Sequence, residues 1–144
     1  MEWLKQVVDY GVIGLLLAMS VLALSVAIER GRFYRKVSLA AYMDKRELEL
    51  QLTSRLHLIA TVGSNAPYIG LLGTVLGIML TFYHMGREGF MDPGKIMVGL
   101  ALALKATAVG LIVAIPAITL YNFRVRRAKE LLLAWEIAHG RKGV

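Results

Sequence analysis

Residues 56–86, LHLIATVGSNAPYIGLLGTVLGIMLTFYHMG, run for 31 residues without an acid, a lysine or an arginine. A bilayer's hydrocarbon core is crossed by about 20 apolar residues of helix, so this stretch reads as a membrane span with a helical turn or two to spare at each end. Two further runs match it. Residues 11–28 carry no charge, and residues 96–123 carry one, Lys105. A chain of 144 residues has no outer layer with which to bury three such helices in a soluble core. The spacing therefore predicts an all-α membrane protein with three transmembrane helices: span one at 11–28, span two at 62–86 and span three at 96–123.

Composition agrees. Apolar residues make up 57% of the chain and charged residues 19%, against about 45–50% and 25% in an average soluble domain. That excludes a disordered chain. The absence of cysteine excludes a disulfide scaffold and a thiolate metal site. Residues 1–10 hold Glu2, Lys5 and Asp9, and Glu29, Arg30 and Arg32 follow the first run. A signal peptide needs a basic start and a small-residue cleavage site, so span one is expected to be retained.

Thirteen of the 17 basic residues fall in the segment 29–55 and the tail 124–144. The positive-inside rule puts both in the cytoplasm, and the N-terminus and the loop 87–95 outside. Juxtamembrane Arg and Lys serve topology and anionic lipid headgroups, so no nucleic-acid partner is read from them. Asp44 and Glu47 have capping-box spacing, and Leu48, Leu52, Leu56 and Ile59 recur at helical spacing. The second helix is expected to start near residue 44 and run unbroken into the membrane. The tail 124–139 is expected to continue the third helix, with Leu131, Leu132 and Trp135 as an apolar stripe. The stretch 91–94, MDPG, is turn chemistry, so spans two and three form an antiparallel hairpin.

In span two, Gly63, Pro67, Gly70, Thr74, Gly77, Thr81 and His84 step by four and three along one face. Span three carries Gly99, Ala103, Thr107, Gly110, Ala114 and Ala117 in the same way. Small residues let membrane helices approach closely, so these stripes read as packing seams. Thr74 and Thr107 lie mid-span. A threonine there often bonds back to its own helix, whereas two facing hydroxyls line a narrow hydrated path, and spacing leaves both open. Lys105 needs a partner or a route to water. It lies about 200° round the helix from Thr107, off the seam. No acid falls within the three spans, so its partner is expected on another chain or at a lipid phosphate. His84 stands near the outer boundary, as an interfacial residue or, alternatively, a proton relay. No catalytic set, metal-spaced cluster or phosphate loop is present, so no enzyme activity, metal or cofactor is expected.

Residues 66–79, APYIGLLGTVLGIM, and 105–122, KATAVGLIVAIPAITLYN, resemble the second- and third-span signatures of the ExbB/TolQ family, relatives of the MotA flagellar stator. The resemblance implies a pentameric ring in the bacterial inner membrane. The ring would surround the single-span helix of an ExbD-type partner, whose Asp carries protons. The work is passed to TonB for outer-membrane uptake of iron–siderophore complexes and vitamin B12, or, in TolQ-type systems, to TolA for envelope maintenance. It implies that Thr74 and Thr107 line the proton path, that Pro67 and Pro116 shape the spans, and that Gly70, Gly73, Gly77, Gly110 and Ala114 pack helices and meet the partner. The third-span Glu of many members is here Leu102, so Lys105 is a candidate for part of its electrostatic role. The segment 29–55 is short for the family. A small stand-alone channel or transporter is the competing class, and it would want a titratable residue within a span.

Overall fold

The computed structural model describes residues 2–89 and 92–142, with the side chains of Glu2, Arg141 and Lys142 left aside. It is all-helical: α1 (Glu2–Lys36), α2 (Lys45–Thr53), α3 (Leu56–Glu88) and α4 (Pro93–Lys142), with a single 3₁₀ turn at Leu39–Ala41. Three of these, α1, α3 and α4, are long and apolar enough to cross a membrane. At 1.5 Å per residue α4 is about 75 Å long, more than twice a hydrocarbon core of about 30 Å. The tail thus continues the third helix without a break.

The α3–α4 hairpin is tighter than the loop 87–95 suggests. Gly89, with φ 78°, ends α3 in the left-handed conformation that glycine adopts at little cost. Asp92 then caps α4: its Oδ1 accepts from the Gly94 amide at 3.0 Å. Pro93 occupies the first helical position, where its missing N–H is no loss. Of the turn residues 91–94, Met91 lies outside the described residues.

The second helix does not run unbroken into the membrane. Asp44 opens α2 by accepting from the Arg46 amide at 2.9 Å, but α2 stops at Thr53, and Arg55 takes a left-handed φ of 67° before α3 begins. The break is held from α1. Arg30 Nη1 donates to the Gln51 carbonyl at 2.6 Å, and the Tyr34 hydroxyl donates to the Leu52 carbonyl at 2.5 Å. These are last-turn carbonyls of α2, which have no partner within a helix that ends there. Freed from α3, α2 lays Leu48 and Leu52, both fully buried, against Tyr34, Leu131 and Trp135. Trp135 Nε1 donates to the Tyr42 carbonyl at 3.0 Å, and Lys45 pairs with Glu136. A second core lies above this one, where Leu16, Ala23, Val26 and Ala27 of α1 meet Ile59, Val62, Ala66, Val113, Ala114 and Ala117.

Candidate functional site

The seam between α3 and α4 is built on missing side chains. A Cβ on Gly70 would lie 2.6 Å from the Ala106 carbonyl oxygen and 3.1 Å from Gly110 Cα. One on Gly110 would lie 2.7 Å from the Ala66 carbonyl oxygen. The two backbones therefore touch at this level, and no larger residue fits. Toward the loop end, Gly77 meets Ala103 and Gly99 meets Thr81 in the same way. Ala66, absent from the heptad stripe, is fully buried, whereas Pro67 beside it is half-buried. Pro116 lies on the exposed face of α4, away from the seam, and Ala114 is buried in it.

One turn above Gly70 the close approach brings two hydroxyls together. Thr74 is 6% exposed. Its Oγ1 donates across the seam to the Ala103 carbonyl at 2.9 Å, with its own-helix acceptor, the Gly70 carbonyl, farther off at 3.3 Å. Thr107 Oγ1 is in hydrogen-bond contact with Thr74 Oγ1, and its distance to the Gly70 carbonyl is 3.5 Å. A hydroxyl has one proton and two lone pairs. With Thr74 donating to Ala103, Thr107 donates to Thr74 and keeps its lone pairs for an outside donor. When Thr107 turns its proton outward instead, Thr74 still holds Ala103. Thr107 is only half-buried. The pair is thus an anchored hydroxyl behind a swivelling one, able to accept from an acid or donate to a carboxylate.

Lys105 faces off the seam, as its helical angle requires, but its partner is within the chain. Lys105 Nζ lies 3.3 Å from Asp9 Oδ2, with 48% and 32% of the two side chains exposed. Asp9 was excluded from span one by two residues, yet α1 begins at Glu2 and Val12 packs on Gly73, so Asp9 stands level with the threonine site. The expectation of a partner on another chain or at a lipid phosphate is therefore corrected, as is the absence of an acid from the spanning helices. A cavity of about 140 Å³ is lined by Asp9, Lys5, Gly73, Gly77, Leu102 and Ala103. Where the resemblance implies a glutamate, Leu102 shares its cavity with the carboxylate of Asp9. A helix-to-helix register sets this juxtaposition, and no periodicity in the sequence carries it.

The MotA/TolQ/ExbB proton channel family model matches residues 25–137. The chain belongs to this family. It is 59% identical over 140 residues to the biopolymer transport protein ExbB of Aquifex aeolicus, a match spanning 97% of this chain and 95% of that one. It is 54% identical over 136 residues to the putative biopolymer transport protein ExbB-like 2 of Helicobacter pylori, covering 94% and 91%. The Tol-Pal system protein TolQ of Pseudomonas aeruginosa is 44% identical over 85 residues, 59% of this chain and 36% of TolQ. The short segment 29–55 is thus no truncation relative to the first two relatives, which the chain covers nearly end to end. As a family member, the chain is a membrane protein of the proton-channel type, and the threonine pair sits between its two signature stretches.

Proposed function

We propose that this chain is the ring-forming subunit of a proton-driven motor in the bacterial inner membrane and is not an enzyme. It works around an ExbD-type single-span partner to energise TonB-dependent uptake. The observation that carries this reading is the threonine pair. A partner carboxylate arriving beside Thr107 receives a hydrogen bond when ionised and gives one when protonated, and neither state leaves a buried polar group unpaired. Thr74 prepays the ordering of the site by bonding Ala103 in both states.

The basic end faces the cytoplasm in this reading and the α3–α4 turn faces out, following the charge distribution. The ring is taken as pentameric by family analogy. ExbB is preferred to TolQ because the relative of that name is matched over nearly its whole length and TolQ over about a third.

The test is proton flux in vesicles holding the protein and its single-span partner. Thr74→Val and Thr107→Val should each lower flux about 10- to 100-fold, since a hydrogen bond to a charged group is worth about 1.5–3 kcal/mol. Ring assembly should be retained. Full flux in both variants refutes the assignment. A ring that conducts protons with no partner present refutes the motor and favours a stand-alone channel.

A further inference from the structure

We propose that His84 is the proton-loading residue of this chain: it takes protons from water at the loop end of the seam and passes them toward Thr81 and the Thr74–Thr107 pair. The proposal rests on the reading above, that protons pass at that pair.

Three observations converge on His84. First, it lines an open cleft of about 680 Å³ between the loop ends of α3 and α4 and the start of α1. The charged groups around that cleft are Lys5 from α1, Glu88 from α3, and Asp92 and Lys95 from the α4 side. Two ammonium groups and two carboxylates leave no net field against a proton. Second, His84 Nε2 is buried and makes no hydrogen bond within the chain. A buried imidazole nitrogen without a partner is costly in packing and calls for a role of another kind. Third, His84 continues the same helix face as the seam: His84, Thr81, Gly77 and Thr74 step by three, four and three. Thr81 lines the cleft too, is 4% exposed, and donates to its own Gly77 carbonyl at 2.8 Å, so its lone pairs are left to accept.

The remaining distance is bridged by space of the right kind. His84 and Thr74 are ten residues apart, about 15 Å along the axis, too far for a direct transfer. The 140 Å³ cavity lies between them, beside Gly77 and Gly73, and Lys5 lines both it and the cleft. A water needs about 10–15 Å³ of such space, so the cavity has room for on the order of ten. Imidazole is the side chain that both takes and gives a proton near neutral pH. A hydronium ion or buffer acid in the cleft protonates the neutral ring and leaves water or buffer base behind. The ring then releases a proton on the seam side and returns to its neutral form. One proton enters for each one passed on, and no electron moves.

The decisive experiment is chemical rescue in vesicles that hold the protein with its single-span partner. His84→Ala should lower proton flux at least about tenfold, and 4-methylimidazole added on the loop side should restore much of it. Thr74→Val should lose flux and gain nothing from the same addition. His84→Gln, close in size and hydrogen-bonding but unable to titrate, should stay low and lose the pH dependence that wild type shows around neutrality. Wild-type flux in His84→Gln overturns the proposal, including where His84→Ala fails to assemble. So does a deficit in His84→Ala that 4-methylimidazole leaves untouched while His84→Gln restores it, for that is a packing role. Normal flux in both His84 variants beside a dead Thr74→Val sinks this proposal and leaves the function reading standing. A wild-type complex without flux sinks both.

Discussion

Gly70→Ala is the sharpest probe of the seam. The added methyl would sit 2.6 Å from the Ala106 carbonyl oxygen and 3.2 Å from Thr107 Cα. The first distance is about 0.8 Å short of ordinary van der Waals contact. The obstructing atoms are backbone, so no rotamer change relieves the clash and the helices must part. Overpacking of this kind costs about 1–3 kcal/mol. The same displacement stretches the bond from Thr74 to Ala103 and the Thr74–Thr107 contact, at about 1 kcal/mol for each hydrogen bond lost. The sum is about 2–5 kcal/mol, against a helix-propensity gain of about 1 kcal/mol for replacing glycine by alanine. Gly86→Ala supplies the control, because nothing stands within 4 Å of its Cβ position; there the gain should appear alone, with the opposite sign. Reversible unfolding in mixed detergent micelles reads both. A Gly70→Ala variant as stable as wild type, with undiminished proton flux, would refute the claim that backbone contact at Gly70 and Gly110 positions the hydroxyl pair.

Other outcomes follow from the remaining contacts. Asp9→Asn and Lys105→Met should each destabilise packing of α1 on the hairpin, and the exchange Asp9→Lys with Lys105→Asp should recover most of the loss in a double-mutant cycle; no recovery means that the two do not interact. Trp135→Ala should cost about 3–5 kcal/mol by emptying the core that holds α2, read as loss of amide protection over residues 45–53. Arg55→Gly should stabilise by about 0.5–1 kcal/mol, since Arg55 holds a left-handed φ that glycine adopts freely, whereas Arg55→Val should do the reverse. The Arg46 side chain, and then its backbone amide, hold the Asp44 carboxyl below its ordinary value of 3.8. A carboxyl depressed in the folded state contributes stability above that ordinary value and loses it as pH falls through the folded one. Amide exchange in α2 should therefore quicken on acidification, and Asp44→Asn should flatten the dependence.

The three long helices and the seam are legible because each depends on one helix at a time. Charge-free length marks a span, and a four–three step of small residues marks the face that will meet another helix. Lys105 was placed off the seam by its angle from Thr107 alone. What escaped depends on two helices at once. The break before α3 has no glycine to announce it; it is made by Arg30 and Tyr34, which reach the α2 carbonyls from about twenty residues away in sequence. Asp9 meets Lys105 only because α1 is set so that Val12 lies on Gly73. An offset of one turn, about 5.4 Å, would have left the lysine alone, at a cost of about 2.5–3.5 kcal/mol on insertion scales. The same offset explains why Ala66, and not Pro67, fills the seam below Gly70.

These contacts also divide the molecule into parts that can move and parts that cannot. At Gly70 and Gly110 the hairpin helices touch through backbone, and sliding one past the other drives a carbonyl oxygen into a Cα. A packed interface of that kind is held in one arrangement, not continuously deformable. The threonine pair is mounted on it and is correspondingly fixed. α1 is held differently: by Val12 on Gly73, by a half-exposed ion pair, and by Arg124, whose Nε donates to the Ala27 carbonyl at 2.9 Å across Gly31. Side chains and charges can reform after a small shift; backbone contacts cannot be traded in that way. Any displacement that accompanies a proton's passage therefore belongs to α1, to the α2 segment it holds, or to a helix from another chain. The α3–α4 seam is the fixed surface against which that displacement takes place.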